Sequence, residues 1–176
     1  MAGRDYSLDA PRDSFARGRV ALLGMWLGAL AAFGALFVPA AFEHLPTQLA
    51  AGVLGDGFAA LDRGGALVGA VCVALGLASA RPRRGAALWR ALVPAVGVAA
   101  HVASAAAVAP HLHALRVAAG GTIGQLAPGD PELAEFARLH AVSRALFTTA
   151  AASAALACVW DVLSAPLRPS AGFSRR

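Results

Sequence analysis

VALLGMWLGALAAFGALFVPAAF, Val20 to Phe42, contains no charged side chain, and its reading decides the fold. At about 1.5 Å of rise per residue, a helix of this length crosses the roughly 30 Å hydrocarbon core of a bilayer. A cleaved signal peptide has a shorter apolar region, about 7–15 residues, so this run reads as a retained first span. Further along the chain, three more apolar runs follow at 64–80, 86–110 and 142–163. Of the 176 residues, 58% are hydrophobic and only 14% charged, with a mean hydropathy of +0.62. A water-soluble domain carries about a quarter charged residues, so the excess apolar surface belongs in lipid. The expected architecture is an all-α integral membrane four-helix bundle over 20–164, with tails at 1–19 and 165–176.

The segment between the first two spans reads differently. From Thr47 to Arg63, Leu49, Val53, Leu54, Phe58 and Leu61 are interspersed with Gly52, Gly55, Asp56 and Gly57. That pattern predicts a short helix lying at the interface between spans one and two. Pro39, about a turn before the end of the first run, predicts a kink and an exit from the membrane through Glu43, His44 and Pro46. Ahead of the fourth span, Asp130 is placed to cap a helix, with Pro131 at its first position and Glu132 and Glu135 at its positive end.

The formal charge is +5 and the pI near 10.9, and every cation is an arginine. No nucleic-acid-binding module or aromatic platform accompanies this charge, and the arginines sit beside the ends of the apolar runs, so nucleic acid is not an expected partner. Arg4, Arg12, Arg17 and Arg19 precede the first span; Arg81, Arg83, Arg84 and Arg90 surround the second turn; Arg168, Arg175 and Arg176 follow the fourth span. Only Arg63, Arg116 and Arg138 lie on the opposite side outside the apolar cores. The bias of arginine toward the cytoplasmic side predicts cytoplasmic termini, and the expected location is a bacterial inner membrane; the abundance of Ala, Gly and Arg with no lysine reads as the coding bias of a GC-rich genome. Cys72 and Cys158 lie inside apolar runs without CxxC spacing and read as small buried hydrophobes.

With this topology, the polar residues gather on the outer side. In FARLHAVSRALF, Phe136 to Phe147, the residues His140, Ser143 and Arg144 fall at i, i+3 and i+4, on one helix face. An arginine a turn inside a span faces a partner, water or a headgroup. All five histidines, His44, His101, His111, His113 and His140, fall in the outer half or beyond it. The candidate site is an outward-facing polar pocket of Glu43, His101, His140, Ser143 and Arg144, serving transport, metal handling or envelope stress.

Two other classes compete with that reading. One is a membrane oxidoreductase holding haem or copper through His101 and His140, since imidazoles from two helices can converge on a metal. The other is a structural role, in which small faces at Gly24, Gly28, Gly65 and Gly69 pack a homo-oligomer or another membrane protein. No nucleophile elbow, phosphate loop or metalloprotease pattern is present, so neither an enzyme of those classes nor a resident cofactor is expected.

Trp26, Leu27 and Gly28, then FVPAAF at Phe37 to Phe42 with Leu45 and Pro46, Ala51 and Gly52, Pro110, and FARLHAVS at Phe136 to Ser143 together resemble the transmembrane protein 205-like family. The resemblance extends from about Val20 to Val162. It implies a small four-span membrane protein and brings no catalytic residues with it. Leu61 and Asp62 stand where the family pattern has an aromatic pair, and His101 stands where a small or amide polar residue is commoner.

Overall fold

In the computed structural model, described for residues 9–79, 84–120 and 123–164, every long element is a helix. The first, α1, joins Asp9–Ala32, a π-helical turn Phe33–Phe37 and Val38–His44. The second, α2, is Thr47–Ala78. The third, α3, joins Arg84–Ala103, a π-helical turn Ser104–Val108 and Ala109–Ala118. After a 3-10 turn at Ile123–Gln125, α4 runs Pro131–Leu163. Four stretches are long and apolar enough to cross a membrane: Ser14–His44, Thr47–Ala78, Leu88–Ala118 and Pro131–Leu163.

The helices form a closed ring in which α1 packs on α2 and α4, and α3 packs on the same two. Its interior mixes small residues with a few leucines: Leu23, Cys72 and Ala157 make one cluster, and Ala41, Ala50 and Leu54 another. The large apolar side chains point outward, with Leu36 69% and Leu67 68% exposed. This is the arrangement expected where the outer solvent is hydrocarbon and close helix approach comes from small residues.

Several boundaries differ from the sequence expectation. Helix α1 already begins at Asp9, so the stretch from there to Arg19 is helical rather than a tail. Arg4, Arg81, Arg83, Arg168, Arg175 and Arg176 lie outside the described residues. Pro39 does not end α1. Val38 N–H bonds back five residues to Phe33 O, and the wider turn lets the proline follow as the second residue of the next helical segment. Helix α3 repeats the device, with Ala109 N–H on Ser104 O and Pro110 next. The chain turns instead at Leu45, which is extended (φ −118°, ψ 148°) ahead of Pro46.

Nor is the interfacial helix a separate element, because Thr47–Ala78 is continuous. Its glycines are points of close approach rather than breaks. A Cβ on Gly57 would stand 2.7 Å from the Phe33 ring, and one on Gly55 would stand 3.0 Å from Arg116 Nη1. At the start of α4, Asp130 accepts from Glu132 N–H at 2.8 Å with Pro131 following, as its sequence predicts.

Candidate functional site

The bundle buries two ionic centres. The first joins α2 to α3: His101 Nδ1 lies 2.9 Å from Asp62 Oδ1, with the side chains 3% and 9% exposed. When the carboxylate accepts the Nδ1 proton, Nε2 of the neutral ring is left as a bare acceptor. That nitrogen is buried and has no hydrogen-bond partner among the described residues. Trp26 of α1 meets the His101 ring edge-on, centroids 5.5 Å apart. Gly65 completes the enclosure, since any Cβ there would collide with the His101 ring and with Trp26.

His101 also lines a cavity of about 20 Å³ together with Trp26, Gly65, Gly69, Gly97 and Ser153. That is room for about one water molecule. Ser153 already donates to Val93 O at 2.6 Å, so its oxygen keeps acceptor capacity. Counted along α3 from Arg90, His101 lies about 16 Å deep, near the middle of a core about 30 Å thick. A carboxylate and an imidazole buried together at that depth can share, store or pass a proton.

The second centre lies at the end of the bundle where α1 and α3 begin. Arg19, only 1% exposed, places Nη1 3.3 Å from Asp161 Oδ2, and Arg90 Nε lies 3.4 Å from Asp161 Oδ1. Arg19 Nη2 also donates to the Arg90 carbonyl at 2.7 Å. The position of Pro94 within α3 explains that acceptor: proline has no N–H to offer the carbonyl four residues back, so Arg90 O is free for a side chain. Gly76 of α2 provides the clearance, because a Cβ there would stand 3.0 Å from both Arg19 Nη1 and Arg90 O. All four helices therefore meet around one carboxylate.

The residues of the single outward pocket are divided by the structure. His101 faces inward, and neither Glu43, His140, Ser143 nor Arg144 lines its cavity. Glu43, His140 and Arg144 are exposed, Ser143 is half-buried, and His140 stacks on Phe136 with centroids 6.0 Å apart. His101 and His140 are thus not joined as a ligand pair, and among the described residues no three His, Cys, Asp or Glu side chains form a metal-binding group. A one-water cavity at Nε2 does not fit a haem. The four glycines divide as well. Gly65 and Gly69 are filled by His101 and Val98 from inside the bundle, whereas a Cβ on Gly24 or Gly28 would meet nothing within 4 Å.

Sequence reasoning missed Asp62 and the Arg19–Asp161 pair. Asp62 falls in the stretch read as interfacial, and Arg19 and Asp161 are 142 residues apart. A usable signal was the spacing of Asp62 and Gly65, one turn apart on the face that also buries Leu54, Cys72 and Gly76.

No match was found among curated proteins or among solved structures. A family model does match residues 21–120, a stretch that holds Trp26, Asp62, Gly65 and His101. The chain belongs to that family, described as Domain of unknown function (DUF4149).

Proposed function

We propose that this chain is a proton-handling component of a bacterial inner membrane, with both termini in the cytoplasm, supporting transport through the Asp62–His101 pair. The observation that carries the reading is a mid-membrane imidazole, fixed by a carboxylate on one nitrogen and open on the other to a water-sized cavity. An ionisable pair inside a span is costly and rare, which makes it a functional-site candidate. The orientation rests on the arginine bias, which survives the withdrawal of Arg19 and Arg90 into the bundle. The ordered elements shared with the transmembrane protein 205-like family support placing the chain among those small four-span proteins.

The test is proton movement in proteoliposomes carrying an internal pH dye and an imposed membrane potential. The wild-type protein is expected to relax a pH difference, and Asp62→Asn and His101→Gln to stop it while still eluting as folded protein. A wild-type protein that leaves the gradient intact, or variants as active as wild type, would overturn the proposal.

A further inference from the structure

At the other end of the bundle from Arg19 and Asp161, two basic side chains pack on one aromatic ring and a third lies a turn away. The Arg116 guanidinium lies 5.8 Å from the centroid of Phe136, over its face. The His140 ring is stacked on the same phenyl group, its plane within 4° of parallel. Arg144, one turn further along α4, and Arg116 both lie within electrostatic reach of His140. Arg116 is also anchored, because Nη1 donates to Ala51 O of α2 at 3.1 Å over the space that Gly55 leaves open. The rest of its fork has no protein acceptor among the described residues.

Neither Arg116 nor Arg144 meets a carboxylate among the described residues, whose ion pairs involve Arg19, Arg90, His101 and Arg138. Glu135, next to Phe136 in sequence, is held by Arg138 at 2.6 and 2.7 Å and is not available. Counted along α4 from Asp161, Arg144 lies about 26 Å away and His140 about 32 Å. That is the level of the far headgroups across a core of about 30 Å. Two uncompensated guanidinium forks beside an imidazole at that level match the oxygens of a phosphate group, which arginine binds in bidentate fashion.

We propose that Arg116, His140 and Arg144 form a phosphate-binding site, with Phe136 holding Arg116 and His140 in register. Its occupant is either the phosphodiester of a lipid headgroup or free phosphate. The full chain in detergent is titrated in separate arms with inorganic phosphate at constant ionic strength, with dioctanoyl phosphatidylglycerol, and with dioctanoylglycerol, which lacks the phosphate. Thermal shift and native mass spectrometry report binding.

Saturable binding of phosphatidylglycerol but not of dioctanoylglycerol is expected. Arg144→Gln should weaken it about tenfold, and the Arg116→Gln/Arg144→Gln pair should abolish it. Arg63→Gln, an exposed change on α2, should leave it intact. Binding of inorganic phosphate, weakened by the same variants, would also uphold the site and identify the free anion as a ligand. No binding in any arm, equal binding by dioctanoylglycerol, or wild-type affinity in Arg144→Gln would overturn it. Arg144 is exposed, so its variant keeps the wild-type elution profile and carries the test even if Arg116→Gln fails to fold.

Discussion

Two centres in this molecule bury a carboxylate against a base, and they differ in how many bases each carboxylate meets. Around Asp161, two guanidinium groups, a proline-freed carbonyl and the clearance at Gly76 fill the space from four helices. Around Asp62 there is a single partner, and the far nitrogen of that partner faces a small cavity. The contacts to Asp161, at 3.3 and 3.4 Å, are looser than the single 2.9 Å contact to Asp62. Several loose charge contacts that close one end of the bundle behave as a clamp. Buried polar atoms without a hydrogen-bond partner among the described residues occur at both centres, but His101 also lines a water-sized cavity, and that gives its centre capacity to spare.

The comparison breaks most visibly at the clamp. Removing one partner of a buried ion pair strands the other, so Asp161→Ala should destabilise the protein by about 3–5 kcal/mol, seen as loss of monodisperse protein or a large fall in Tm in detergent. An Asp161→Ala protein as stable as wild type would remove the distinction. Gly65→Ala comes next, at about 1–3 kcal/mol, because its methyl group must displace His101 or Trp26. The diagnostic substitution is Asp62→Asn, which keeps the shape and an acceptor oxygen. It should cost less than about 1.5 kcal/mol in Tm measurements while ending proton movement. If Asp62→Asn unfolds the chain as severely as Asp161→Ala, both centres are clamps.

The smallest effect is expected at Gly28→Leu, on the open face of α1, where an added Cβ meets nothing within 4 Å among the described residues. Its stability should stay within about 0.5 kcal/mol of wild type, read from Tm. A change in its oligomeric state by size exclusion would show that the face is covered by a second copy.

The four spans were legible because lipid imposes a length and a composition on any helix that crosses it, as the uncharged run Val20 to Phe42 shows. The cap at Asp130 was legible because capping is a local interaction. The centres were not, for different reasons. Gly52, Gly55 and Gly57 suggest a broken, interfacial segment when only the local pattern is considered. In the folded chain Gly55 admits Arg116 and Gly57 admits Phe33, and the unbroken helix that contains all three glycines carries Asp62 inward. Arg19 counted as one more cytoplasmic charge because nothing near it in sequence reveals a carboxylate at the far end of the chain. His101 was correctly singled out, but its partner was sought on the outer surface rather than on α2.

The π turns before Pro39 and Pro110 have a consequence for insertions and deletions. Each holds one residue more than an α-helix needs over the same path. Deleting a residue within Ser104–Val108 can therefore be absorbed locally, leaving Arg116 above Phe136 and His101 beside Asp62. The same deletion within the regular α-helix between Arg90 and His101 would turn one end against the other by about 100°, parting Arg19 from Arg90 or His101 from Asp62. The spans thus have slack of a single residue at two known places, both away from the Asp161 end of the bundle, and the rotational phase between the two ionic centres is fixed.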